Sequence, residues 1–169
     1  MTTLSLFAEI ERSAVLSECR LYRYSLTRTW DESRERVLFV GLNPSTADEN
    51  RDDPTLRRCI GFAKRWGYGG LILVNLFAFR ATDPSELLST ADPVGPENDA
   101  AIASALKLVN QTIVAWGTKG ELLNRDIEIL KQISQPYCLG KSKNGFPRHP
   151  LYMRKSLRPK KYRIPKNRG

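Results

Sequence analysis

Three apolar runs, each closing on a polar turn, limit what this chain can fold into more than any other feature. Val37-Leu38-Phe39-Val40 runs directly into Gly41-Leu42-Asn43-Pro44-Ser45, Leu73-Val74 closes on Asn75, and Val114-Ala115-Trp116 closes on Gly117. Short continuous apolar runs read as strands buried on both faces, and such strands need helices on both sides. A strand that stops on Gly, Asn or Pro holds polar groups at its carboxyl end, where open α/β sheets build their sites.

Between these runs the pattern turns helical. Asp53-Pro54 supplies a side-chain cap and a first-turn proline for a helix running to about Trp66, and Gly67, Gly69 and Gly70 end it. A long loop over 77–95 carries a short helix from Asp83-Pro84, and Gly95-Pro96 precedes a helix to about Val109. A further helix is expected over 119–133, and Tyr137-Cys138-Leu139 forms a short fourth strand. Ahead of the first buried strand, residues 5–17 place Leu6, Ile10 and Val15 near one helical face. Residues 19–29 alternate, with Leu21, Tyr22, Tyr24 and Leu26 among Arg and Ser, as in an antiparallel edge hairpin or strand. Strands alternating with helices predict a three-layer α/β/α fold with a four-stranded, mainly parallel central sheet.

A chain of 169 residues suits one such domain, expected over 1–153. The net charge of +9 is concentrated beyond it: residues 154–169 hold eight basic residues and no acid, leaving the rest within one unit of neutrality. This stretch reads as a basic C-terminal tail, with Arg154, Lys155, Lys160 and Lys161 as nucleic-acid contacts, because neutralising phosphates releases counterions. No apolar run approaches the roughly 18 residues that cross a bilayer, and no leader pattern is visible, so a cytoplasmic protein with no membrane partner is expected. Cys19, Cys59 and Cys138 form no close pair, and with a single histidine they complete no usual zinc set. Neither a metal nor a cofactor is expected. The acidic loop carrying Asp48, Glu49, Asp52 and Asp53 reads as a solvated loop with a helix cap rather than a metal site.

Asn43 stands where a chain bend aims its amide into a cleft, and an amide can orient water or a polar substrate without taking a proton. Asn75, ending an otherwise apolar strand, offers a donor and an acceptor that suit the edge of a nucleobase. His149 lies in Pro147-Arg148-His149-Pro150, where two prolines stiffen the backbone, and a held imidazole can donate to developing negative charge. Phe77, Phe79 and Tyr68 flank the Asn75 strand and are candidates for a stacking wall.

In this order and rough spacing, over residues 36–153, these motifs resemble the uracil-DNA glycosylase superfamily, in particular its mismatch-specific branch with Gly-x-Asn-Pro. Leu73-Val74-Asn75, Val114-Ala115-Trp116-Gly117 and His149-Pro150-Leu151 resemble its later motifs. The whole chain, with Asn-Pro-Ser-x-Ala-Asp and Pro-Arg-His-Pro-Leu-Tyr, is more similar still to a bacterial and phage domain family of unassigned function. The resemblance implies a uracil-DNA-glycosylase-like fold and DNA, rather than RNA, as the nucleic-acid partner. It implies a base-excision hydrolase of DNA repair, cleaving an N-glycosidic bond on a base flipped from the duplex. Asn43 would then position the attacking water, Asn75 would bind the base edge, and His149 would stabilise the departing base. Phe77 and Ser45 would lie beside the base, Arg148 and the tail would hold phosphates, and Leu151 or Met153 would wedge into the duplex. Asn43 stands where the fastest branch has a carboxylate, and Ser45 where it has an aromatic. Two other readings remain open: an enzyme of free nucleosides or nucleotides, and a non-catalytic nucleic-acid-binding module. The oligomeric state is not legible.

Overall fold

The computed structural model describes residues 9–168. It contains seven strands in one mixed sheet and three α-helices: β1 Glu11–Leu16, β2 Arg23–Thr29, β3 Arg36–Gly41, α1 Pro54–Arg65, β4 Gly70–Asn75, α2 Asn98–Lys107, β5 Thr112–Val114, α3 Arg125–Leu130, β6 Pro136–Cys138 and β7 Lys160–Lys161. The strand order is β1-β2-β4-β3-β5-β6-β7. The four expected strands sit side by side and parallel as β4-β3-β5-β6. The sheet is larger than expected and not purely parallel: β1, β2 and β7 add antiparallel pairings at its two ends.

Alternation along the central strands divides the core. Val37, Phe39, Leu71, Leu73 and Ile113 face α1, meeting Leu56, Cys59, Ile60, Phe62 and Ala63. Leu38, Val40, Ile72, Val74 and Val114 face the other way, onto Ile102 and Ala105 of α2 and Ile129 of α3. Helices therefore cover both faces. All six residues of β4 are buried, which is why its sequence reads as a run and not as an alternation. Each large aliphatic side chain so buried contributes roughly 1.5–3 kcal/mol. No described helix is long and apolar enough to cross a membrane.

Three local expectations change. Residues 11–16 form β1 and not a helix, because pairing with β2 satisfies their backbone; residues 5–8 of that expected helix, Leu6 among them, lie outside the described residues. The helix expected over 119–133 is broken. Thr118–Asn124 is a 3₁₀ segment in which Leu122 is extended and Leu123 and Asn124 are left-handed, and regular α-helix holds only over α3. The segment read as a tail is docked. β7 pairs with β6, Tyr162 is 3% exposed, and Trp66 Nε1 donates to the Leu157 carbonyl at 2.9 Å. Arg168 grips the buried Asp126 carboxylate through two bonds of 2.6 and 2.9 Å.

Candidate functional site

A cavity of about 870 Å³ opens at the carboxyl ends of β3, β4 and β5, within the size range of small-molecule sites. The loops that leave these strands build its walls, and the start of α1 closes one side with Asp53, Pro54 and Thr55. Asp53 caps that helix, its Oδ1 accepting from Leu56 N at 2.8 Å.

Asn43 follows β3 at the turn. Its amide nitrogen donates to the Pro44 carbonyl at 3.0 Å and the Ala81 carbonyl at 2.8 Å. Both N–H hydrogens are thereby engaged, so the acceptor oxygen is the group this amide has left to offer the cavity it lines.

Asn75 ends β4 at 3% exposure, and its Nδ2 has no hydrogen-bond partner among the described residues. The strand end is held from behind. Asn98 Nδ2 donates to the carbonyls of Asn75 and Leu76, both at 3.0 Å, and Arg125 donates twice to Leu76 O at 3.0 and 2.9 Å. A buried donor left open on an anchored backbone is a binding feature in waiting, since an unmet buried N–H costs roughly 1–3 kcal/mol.

His149 reaches the cavity from the β5–β6 end of the strands. Gly117 N donates to the Pro147 carbonyl at 2.8 Å, and Arg148 N to the Gly140 carbonyl at 2.9 Å, so the segment before His149 is laid across the ends of β5 and β6. Its Nδ1 accepts from Leu151 N at 3.3 Å. The neutral ring therefore carries its proton on Nε2. Burial pushes the imidazole below its ordinary range, against a smaller upward pull from Asp53.

Ser45 and Arg148 also line the cavity. Phe77 does not: it is fully buried among Leu76, Leu87 and Ile102. The expectation that it stacks on a base is corrected, because the chain after Asn75 turns its ring into the α2 side of the core. Phe146 lines the cavity instead, with Arg168 over its ring at 5.6 Å. Leu151 lines the cavity, Met153 packs onto the α1-side core, and Tyr152 stands 75% exposed at the mouth. Arg154, Lys155, Lys160 and Lys161 are exposed and lie outside the cavity.

Sequence reasoning missed the charges around this cavity. Lys119, Lys141 and Lys143 join Arg148 at its exposed rim, Arg23 lies buried inside, and Asp53 is the one carboxylate among the described lining residues. The acidic loop is not left free in solvent but is tied to the body by ion pairs. Buried Arg28 bonds Asp52 at 3.0 Å and the Asp48 carbonyl at 2.6 Å, while Arg12 and Arg20 pair with Asp52 and Glu49. No cluster of potential metal ligands occurs among the described residues. Cys19, Cys59 and Cys138 are free thiols.

The chain belongs to the protein family of unknown function DUF1643, whose family model matches residues 23–151. This agrees with the similarity to a family of unassigned function and carries no link to the glycosylases. No curated protein and no solved structure matches the chain.

Proposed function

We propose that this DUF1643 chain is a base-processing enzyme that hydrolyses an N-glycosidic bond in DNA, on a base turned out of the strand into the cavity. One observation carries the reading: Asn43 has spent both its donors on the backbone, in the same cavity as the open donor of Asn75 and the imidazole of His149. A water that donates to Asn43 Oδ1 has its lone pair free to attack C1′. As the C1′–N bond breaks, its electron pair goes to the base, and N–H donors at Asn75 and His149 Nε2 oppose the charge that develops there. Asn43 cannot take the water's proton; Asp53 is the lining carboxylate that can. Phe146 stacks on the extruded base, and the rim cations with Arg148 hold the flanking phosphates.

The test uses single- and double-stranded oligonucleotides carrying uracil, hypoxanthine, mismatched thymine or hypermodified pyrimidines, scored for released base and abasic sites. The wild type should release at least one base. Asn43→Ala, His149→Ala and Asp53→Asn should each abolish release while leaving DNA binding largely intact. Equal activity in all three, with folding confirmed, removes the mechanism. Salt-sensitive binding without release favours a non-catalytic binding module. A buried arginine lining the same cavity as Asn75 favours the other alternative, an enzyme of free nucleotides, which release from monomers and not from DNA would establish.

A further inference from the structure

Four buried side-chain polar atoms among the described residues have no hydrogen-bond partner: Arg23 Nε, Asn75 Nδ2, Trp116 Nε1 and Asn98 Oδ1. The first three are N–H donors on residues that line the cavity, but the Trp116 indole edge lies against Gly120, outside the lining, and Asn98 lines no part of the cavity; Arg23 and Asn75 remain. Native folds leave few buried polar groups unmet, so two open donors on residues of one cavity describe an occupant that presents acceptors.

Arg23 adds a sign to that description. It is 1% exposed and pairs with no carboxylate within ion-pair distance among the described residues. Its one side-chain hydrogen bond among the described residues is from Nη1 to the Ala47 carbonyl at 3.0 Å. Arg23 N also donates to the Ala78 carbonyl, three residues past Asn75, so the guanidinium rises from the strand adjacent to the one that ends in Asn75. Its buried setting comes from an irregularity. Ser25 pairs with Val15 and Arg23 with Leu16, leaving Tyr24 as an extra residue on β2. A bulge of this kind re-aims the side chains beside it, and here it turns Arg23 towards the cavity.

Resting on the reading above, we propose that the cavity contains an oxyanion subsite centred on Arg23, so that its ligand carries a carboxylate or phosphate beside the base-reading position of Asn75. Arg23 stays charged there, since burial brings it down only to about 10, with Asp53 pulling the other way. A planar guanidinium with Nε open suits the paired oxygens of either anion. The carboxylate would belong to an acidic substituent on the base, the phosphate to a nucleotide.

The experiment titrates the full chain with 2′-deoxyuridine, 5-carboxy-2′-deoxyuridine and 2′-deoxyuridine 5′-monophosphate, by calorimetry. One anionic probe should bind about tenfold or more tightly than the neutral one, and which one wins names the source of the anion. The preference should survive roughly 0.5 M salt, because a buried charge is screened far less than Lys119 or Lys141 at the rim. It should fall to about unity in Arg23→Gln. No binding, no preference, loss of the preference in salt, or its retention in Arg23→Gln overturns the subsite. Should Arg23→Gln not fold, the salt series on the wild type decides. Anion preference without base release from DNA leaves the subsite standing and removes the glycosylase reading; base release without the preference does the reverse.

Discussion

The side-chain oxygen of Asn75 occupies the space over Gly41: a methyl group at residue 41 would come within 2.7 Å of it. The two residues are partners in the parallel register of β3 and β4. The glycine therefore makes room for the amide where the first and second buried strands end.

Gly41→Ala should displace the Asn75 amide while leaving the sheet intact. Overpacking of this kind costs about 1–3 kcal/mol, visible as a melting temperature lower by several degrees. Affinity for the base should fall about tenfold or more, since a buried donor would lose its aim. Unchanged affinity would mean that Asn75 does not read the ligand.

Asn43→Asp tests the orientation of the first amide. Both oxygens of a carboxylate are acceptors, so one of them always faces the carbonyls of Pro44 and Ala81 that now receive N–H donors. The carboxyl should titrate above its ordinary range, and the variant should lose about 1–3 kcal/mol at pH 7. That deficit should shrink as pH falls, because the protonated carboxyl can again donate. Urea denaturation at pH 7 and pH 5 measures both; equal stability of variant and wild type at pH 7 would show that the amide is not held as described.

His149 is the only histidine in the chain, so one imidazole resonance reports on it. Burial holds it below the ordinary value of 6.5. The folded state thus binds the proton less readily than the unfolded state. This group favours folding fully above pH 6.5, loses stability as pH falls from there towards the folded value, and levels off beneath it. Protonation would also place an N–H against Leu151 N, which now donates to Nδ1. The midpoint by NMR should lie below 6.5, and base release should be flat from pH 7 to 8. A midpoint above 6.5 would contradict the buried neutral ring.

The C-terminal segment should separate into structural and electrostatic parts. Arg168→Ala leaves the Asp126 carboxylate, 3% exposed, without its bidentate partner, and should cost about 1–3 kcal/mol in a chemical melt. Lys160→Ala and Lys161→Ala change exposed side chains of β7, so stability should hold. On the proposed function each should lower the salt slope of DNA binding by about one. A slope unmoved by either substitution would take β7 out of the nucleic-acid contact.

Much of the frame was legible along the chain. The runs ending at Gly41, Asn75 and Gly117 marked three buried strands because burial on both faces leaves continuous apolar sequence. Asp53-Pro54 marked the start of α1 because a cap and a first-turn proline act within one turn. Asn43, Asn75, Ser45, Arg148 and His149 share one cavity because the carboxyl ends of neighbouring parallel strands meet there.

What depends on residues far apart in sequence was not legible. Arg23 sat among alternating residues that read as an edge strand; only the slip in pairing between β1 and β2 turns it inward. The broken helix before α3 brings Arg125 to the Leu76 carbonyl across 49 residues, and neither partner signals the other. Arg168 looks like free charge until Asp126 is placed beside it, and Lys160-Lys161 looks like a loose tail until β6 pairs with it. Local rules determined the strands, their ends and the capped helix, because propensity and hydrophobic period act over a few residues. The tertiary structure decided which charges are buried, paired or left open, because burial and pairing depend on neighbours that only the folded chain brings into contact.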